Sequence, residues 1–200
     1  MTIRLNKEQK IKVGSGSDVY AVMQQILLRQ QRIDRNREHF WTIGLAGDNS
    51  ILYIELVSMG TINKTLAEPM EVFSFALQKR AVKLILVHNH PGNSLGPSEA
   101  DKDITDRLIQ TGNIVNLPVA DHLIITETSY YSFAESGLLA KLRVSIKYVP
   151  AYILAERHKR EGELNKAMET ALVMKKEGYP IADIARITGL AETKIKKLKN

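Results

Sequence analysis

Residues 82–101 read VKLILVHNHPGNSLGPSEAD, and this stretch decides the predicted fold around it. Residues 82–87 are short, largely apolar and β-prone, which predicts a buried strand that ends at His88 and His90. Because side chains alternate along a strand, both imidazoles lie on the same face. The sequence therefore predicts two histidines that point together from the end of a buried strand.

The same stretch continues into a loop and a helix. Residues 91–97 contain two prolines and two glycines, and Ser98 stands where a helix can begin, with Asp101 one turn inside it. A strand end and a helix start can therefore meet at one cation. Two neutral imidazoles and one carboxylate suit zinc, and three protein ligands leave a position open for water. We therefore predict a catalytic zinc site with His88, His90 and Asp101 as ligands.

Ser98 and Asp101 also fit a capping box, in which both residues would only start the helix. Either histidine alone would be an ordinary loop or core residue. The four residues taken together favour the metal site, and Ser98 can serve in both ways.

These residues resemble the JAMM (JAB/MPN) metalloprotease motif, a glutamate followed by His-x-His-x7-Ser-x2-Asp, and are more closely similar to the RadC family. The similarity covers most of the first 145 residues and is carried by five blocks in order: residues 55–61, 69–72, 87–91, 121–125 and 131–138. It implies an α/β fold of the JAB/MPN, cytidine-deaminase-like type, in which helices flank a mixed sheet.

The resemblance also implies a zinc-dependent hydrolase that uses metal-activated water. In that scheme His88, His90 and Asp101 bind the metal, Glu55 is the general base, and Ser98 helps to stabilise the oxyanion. The loop before Ser98 keeps the expected length but reads GNSLGP where RadC proteins usually have SGDPTP. About 40 residues precede the first predicted strand, so the helix-hairpin-helix region of full-length RadC proteins, and any DNA binding by it, is not expected here.

Glu55 interrupts the β-prone residues 51–54, and a carboxylate in a buried strand is costly unless a cation or a hydrogen bond offsets the burial. Water at a zinc site would be such a partner. The alternative is an edge-strand glutamate that faces solvent. Glu68, Glu71 and Glu99 are competing candidates for the base.

Composition limits the possible classes. A chain of 200 residues with 44% hydrophobic and 25% charged residues is ordinary globular material, long enough for one domain and an appendage. The lack of cysteine excludes thiolate zinc ligands and argues against the zinc deaminases, which need a pair of them. No stretch has the length of a signal core or a membrane span, so we expect a cytoplasmic protein.

The remaining pattern predicts helices on both sides of the metal-binding strand. Ser17 or Asp18 is expected to cap a first helix, and Pro69 to open a second. Strands are expected at residues 40–45 and 51–57, joined by a hairpin turn around residues 47–49, and at residues 119–126, while the helix from Ser98 should end near Gly112. Asp121 and His122 are neighbours on the last of these strands, so they point to opposite faces, and we expect packing or edge roles, with support of a metal ligand by one of them as the alternative.

Residues 146–200 are predicted to form a small α-helical C-terminal appendage to the domain of residues 1–145. Residues 181–188 and 192–198 lie on either side of Gly189 with spacing typical of a helix-turn-helix. Four lysines could contact nucleic-acid phosphates: Lys194, Lys196, Lys197 and Lys199. The alternative is a helical segment for dimerisation or partner docking.

The sequence therefore favours a zinc hydrolase that cleaves peptide or isopeptide bonds in a peptide or protein substrate. A second hypothesis is a DNA-associated repair or mobile-element factor that binds nucleic acid through the C-terminal hairpin. A third is a metal site that processes nucleic acid directly.

Overall fold

The apolar run before His88 forms an inner strand of a five-stranded sheet with the order β2-β1-β3-β4-β5. The strands are β1 (His39–Leu45), β2 (Ile51–Met59), β3 (Lys83–Asn89), β4 (Val119–Ile125) and β5 (Tyr130–Ser132). β1 pairs antiparallel with β2 and with β3, β3 pairs parallel with β4, and β4 pairs antiparallel with β5. The mixed sheet flanked by helices that the sequence predicts is therefore confirmed.

The coordinates are a computed structural model that describes residue 3, residues 11–60 and residues 67–198. The chain divides into two compact units, Met1–Tyr148 and Val149–Asn200. The boundary predicted at residue 145 lies close to this division. No helix in the described ranges is long and apolar enough to cross a membrane.

Helices cover both faces of the sheet, because alternate strand residues are apolar on each side. On one face, α1 (Gly16–Leu28) packs its buried residues against Trp41 and Ile43. On the other face, α3 (Pro69–Gln78) and α4 (Glu99–Ile114) pack against a cluster that includes Phe40 and Leu86. His88 lies two residues after Leu86 and therefore faces the α3 and α4 side.

The helix starts differ in part from the prediction. α1 begins at Gly16 with Ser15 as its cap, and Asp18 closes the capping box from inside the helix. Ser17 and Asp18 are therefore not the cap, because the Asp18 carboxylate reaches back to the Ser15 N–H at 2.9 Å. α3 begins at Pro69 as predicted, and α4 is capped by Ser98.

Three short elements were not predicted: α2 (Arg32–Arg35), β5 and α5 (Leu138–Arg143). β5 has three residues and α5 has six, which is too short for a hydrophobic period to be recognised.

The second unit consists of α6 (Ala151–Lys176), α7 (Ile181–Thr188) and α8 (Glu192–Lys197). Four residues form its buried core: Ala171, Ile184, Leu190 and Ile195. α7 ends at Gly189, whose φ of 70° lies in the left-handed region that glycine adopts without strain. The predicted pair of helices on either side of Gly189 is therefore present.

Candidate metal centre

The two histidines of the motif stand at the end of β3. His88 is 4% exposed and lies opposite Phe40 of β1, while His90 follows the strand and donates its backbone N–H to the carbonyl of Ile125 at 3.0 Å. This position at a strand end lets both side chains leave the sheet toward the start of α4.

Three predicted ligands converge at this point. The Nε2 atoms of His88 and His90 are 2.9 Å apart, and the Asp101 carboxylate lies 3.2 Å from the first and 3.5 Å from the second. One ligand atom from each residue lies within 4.8 Å of the other two. The structure therefore brings together the predicted set of His88, His90 and Asp101, and this set could hold a metal ion.

The outer ring nitrogens show why this set fits a cation. His90 Nδ1 donates to the Ser94 carbonyl at 2.7 Å, and because a carbonyl can only accept, Nδ1 carries the proton of the neutral ring. Its Nε2 then presents a lone pair to the His88 Nε2 and to Asp101. Basic nitrogens and a carboxylate at such separations repel one another unless a positive charge stands between them, and two nitrogens with one oxygen suit zinc.

Neighbouring charged and polar groups at the site shift the pKa values of Asp101 and His90. Burial alone would raise the pKa of Asp101, but the neighbouring imidazoles of His88 and His90 outweigh that effect and hold the pKa well below its usual range. The Asp101 carboxylate in turn raises the pKa of His90 against the effect of burial, and the charge of Glu38 adds to this. The site is therefore built to hold positive charge.

The capping box at α4 is also present. The Ser98 N–H donates to Asp101 Oδ2 at 2.7 Å, and the Asp101 N–H donates to Ser98 Oγ at 3.1 Å. Asp101 Oδ1 is the atom that lies 3.2 Å from His88 Nε2. The two interpretations of these residues therefore coexist: Asp101 Oδ2 accepts the capping hydrogen bond and also lies 3.5 Å from His90 Nε2, while Oδ1 faces His88.

A cavity of about 490 Å³ opens over the histidines. Besides the three metal-site residues and Ser98, its lining includes Glu38, Phe40, Glu68, Arg107 and Tyr148. The Glu68 carboxylate lies 3.3 Å from the Arg107 guanidinium, and Glu38 is the other glutamate among the described lining residues.

The structure does not bring Glu55 to this cavity. Glu55 lies on β2 opposite Thr42, and β1 separates β2 from β3. Glu38, which immediately precedes β1, lies there instead. Of the competing candidates, Glu68 lines the cavity, whereas Glu71 and Glu99 are not among its described lining residues.

Sequence reasoning missed Glu38 because its signal is non-local. The residue stands two positions before Phe40, and only the antiparallel pairing of Phe40 with His88 brings it beside His90. The block of similarity at residues 55–61 instead favoured Glu55 on β2.

His122 contacts a metal-site histidine, contrary to the favoured expectation of a packing or edge role. Its Nε2 lies 2.8 Å from His88 Nδ1, and its Nδ1 lies 2.6 Å from Thr105 Oγ1. Burial lowers the pKa of His122 well below its ordinary value.

Asp121 points away from His122, as strand alternation requires. It accepts hydrogen bonds from the Ser132 hydroxyl at 2.6 Å and the Ala134 N–H at 2.8 Å, and burial raises its pKa. Asp121 therefore stabilises the turn after β5, and its carboxylate accepts the backbone N–H of His122 at 2.7 Å without contacting the imidazole in the described structure.

The chain matches a known family over most of its first unit. A sequence model described as the RadC-like JAB domain matches residues 13–138. A UPF0758 protein of Pelodictyon phaeoclathratiforme is 44% identical over 106 residues, which are 53% of this chain and 48% of that protein. A UPF0758 protein of Chlorobium chlorochromatii is 36% identical over 138 residues, 68% of this chain and 60% of that protein. The chain thus spans about half to three fifths of the length of these relatives.

Proposed function

The chain belongs to the RadC family and contains its JAB domain, and we propose on this basis that it is a zinc-dependent hydrolase of peptide or isopeptide bonds. The observation that carries the proposal is the convergence of His88, His90 and Asp101 in the lining of an open cavity. The cytoplasm is the proposed location.

Zinc at such a site acts as a Lewis acid toward water and toward the carbonyl of the bond to be cleaved. His88, His90 and Asp101 would hold it, and three protein ligands are the number found in catalytic zinc sites. The cavity gives a peptide access to these residues from one side.

Glu38 is the proposed general base. It lines the cavity and lies near enough to His90 for its charge to raise the pKa of that ring. From this place its carboxylate can accept a proton from the attacking water and return it to the leaving amine. Glu68 is the alternative lining glutamate, and its carboxylate lies 3.3 Å from the Arg107 guanidinium.

Ser98 is the proposed stabiliser of the oxyanion. Its Oγ donates to Asp101 Oδ2 at 2.7 Å, and the residue lines the cavity. Donation to a developing oxyanion requires the hydroxyl to rotate away from Asp101, which costs little because the Ser98 backbone N–H also donates to that oxygen.

The proposal is tested by metal content and hydrolysis on the same preparations. Purified wild type and His88→Ala/His90→Ala, both without affinity-tag histidines, are analysed by plasma mass spectrometry and offered peptide, isopeptide and nucleic-acid substrates. About one zinc per chain and peptide-bond cleavage, both lost in the variant, are expected. A wild type that binds no zinc after incubation with it contradicts the proposal.

A second candidate function is DNA binding by the C-terminal unit, as in a repair or mobile-element factor. α7 and α8 are short helices joined at Gly189, an order of elements that is typical of a helix-turn-helix, and Lys194, Lys196 and Lys197 are exposed on α8. Lys199 lies outside the described residues.

DNA binding is tested with the full-length chain and a short DNA duplex. Replacing Lys194 and Lys197 together by Gln should weaken binding and make its dependence on salt less steep, whereas replacing the exposed Lys159 of α6 should change neither. Binding of equal strength and equal salt dependence in the double variant contradicts this second candidate.

A further inference from the structure

A chain of hydrogen bonds leads from α4 through the interior to the metal site. The Thr105 hydroxyl contacts the backbone carbonyl of Asp101, and Thr105 Oγ1 lies 2.6 Å from His122 Nδ1. On the other side of the ring, His122 Nε2 lies 2.8 Å from His88 Nδ1. This hydrogen-bond relay therefore begins at the backbone carbonyl of Asp101 and ends at the side chain of His88, two of the predicted metal ligands.

Elementary hydrogen-bond chemistry gives this chain a single direction. The Asp101 carbonyl can only accept, so the one hydroxyl proton of Thr105 is directed to it. Thr105 Oγ1 must then accept from His122, which places the proton of the neutral ring on Nδ1 and leaves Nε2 as an acceptor. His88 consequently donates from Nδ1, and its Nε2 is left with a lone pair.

The neutral state of His122 follows from its surroundings. Its side chain is fully buried and stacks on the Phe133 ring with 4.7 Å between ring centroids, and Phe40 packs edge-on at 5.7 Å. Its two hydrogen-bond partners in the described structure, Thr105 and His88, are not carboxylates. A buried imidazolium without a carboxylate partner is strongly disfavoured, so the ring has one proton to place.

We propose that Thr105 and His122 are positioning residues that hold His88 in the tautomer whose Nε2 lone pair faces the metal site. The inference rests on the proposed zinc site. It adds that the tautomer of His88 is selected two hydrogen bonds away, by the Thr105 hydroxyl. His90 reaches the same tautomer in one step, because its Nδ1 donates directly to the Ser94 carbonyl.

The relay also links the two parts of the site. It begins at the backbone carbonyl of Asp101 and ends at His88. The side-chain carboxylate of Asp101 in turn lies 3.2 Å from His88 Nε2. A displacement of the first turn of α4 would therefore disturb both the carboxylate and the tautomer of His88. This coupling gives the first turn of α4 control over two of the three ligands.

The test compares Thr105→Val with Thr105→Ser. Valine keeps the shape but removes the hydroxyl, so the acceptor for His122 Nδ1 is lost and the ring can place its proton on Nε2. That proton would then be donated to His88 Nδ1, which forces the His88 proton onto Nε2, toward the metal. Serine keeps the hydroxyl and serves as the matched control.

Two readouts are taken on each protein. Long-range ¹H–¹⁵N spectra of the metal-free chain at pH 8.5 report the tautomers of His88 and His122, and competition with a chelating dye gives the zinc affinity. Wild type and Thr105→Ser should have both rings protonated at Nδ1, and Thr105→Val should have both at Nε2. Loss of such an outer partner typically weakens metal binding by about 10–100-fold, and we expect at least a fivefold loss in Thr105→Val.

Wild-type spectra alone can overturn the proposal, even if the valine variant fails to fold. A His88 protonated at Nε2 in the metal-free wild type contradicts the relay, and so does less than a fivefold loss of zinc affinity in a folded Thr105→Val. Failure of the proposed function is a different result: a wild type with the expected tautomers that binds no zinc refutes the zinc hydrolase and leaves the direction of the hydrogen bonds intact.

Discussion

Phe40 of β1 lies directly opposite His88 of β3 in an antiparallel register, with the two ring centroids 6.3 Å apart and the rings nearly parallel. This pairing aligns the residues that precede β1 with those that follow β3. Glu38 is thereby placed beside His90, in the cavity that contains the three predicted metal ligands. The pairing explains how a carboxylate about 50 residues earlier in the chain reaches the site.

The histidine pair should be required for zinc. His90→Ala removes one of three ligands, so we expect the zinc content measured by plasma mass spectrometry to fall from about one per chain to near zero after dialysis. His158→Ala on α6 is the control, because that histidine is exposed and belongs to the other unit. Equal zinc in both variants would contradict the assigned site.

Replacing Glu38 should reduce the hydrolytic activity far more than replacing Glu55. Glu38→Gln removes the proposed proton acceptor but no metal ligand, so kcat on a cleaved peptide should fall by about 10²–10⁴-fold with zinc content unchanged. Glu55→Gln, on β2 outside the lining of the cavity, should stay within about twofold of wild type. Loss of activity in Glu55→Gln with full activity in Glu38→Gln would show that Glu55, and not Glu38, is the general base.

Capping and metal binding at Asp101 should also be separable. Asp101→Glu keeps a carboxylate for the capping box, whose usual third residue is glutamate, but moves it away from the histidines by one methylene. We expect urea unfolding of the metal-free variant to give a free energy within about 0.5 kcal/mol of wild type, while zinc affinity falls at least tenfold.

Ser98→Ala is the comparison for this experiment. It removes the cap of α4 and should lower the free energy of unfolding of the metal-free protein by about 1 kcal/mol. If Asp101→Glu instead kept the zinc affinity of wild type, the carboxylate would not be a ligand.

His39 should make stability depend on pH. Its side chain is fully buried against Trp41, and burial lowers its pKa below the ordinary 6.5, against a smaller opposing effect of the Arg37 carbonyl. Because the folded pKa lies below the unfolded one, the unfolded state binds more protons between them. The stability that depends on His39 staying neutral is therefore fully present above pH 6.5 and is lost as the pH falls through the folded pKa.

We expect the metal-free wild type to lose more unfolding free energy than His39→Phe between pH 7 and pH 5. The difference has a limit of about 1.4 kcal/mol per pH unit, the value for one proton. Phenylalanine keeps the stacking on Trp41 and cannot titrate. Parallel stability curves for the two proteins in urea would exclude this effect.

Much of the metal site could be predicted because its determinants are local. Alternation along β3 puts His88 and His90 on one face, and a serine cap with Asp101 at the third position starts α4 in a short range of sequence. Strand alternation and helix capping both act between residues only a few positions apart, so they can be recognised from the spacing of residues in the sequence. The convergence of the three candidate ligands and the start of α4 follow from it.

The partners of these ligands depend on strand pairing, which no local pattern expresses. Glu38 reaches the cavity through the antiparallel pairing of β1 with β3, and His122 reaches His88 because β4 lies parallel to β3 with His122 beside Leu86. Strand order and register are decided by the burial of both sheet faces over the whole unit. The sequence by itself therefore determined the three candidate metal ligands, and only the tertiary structure decided which glutamate lines their cavity and which histidine contacts His88.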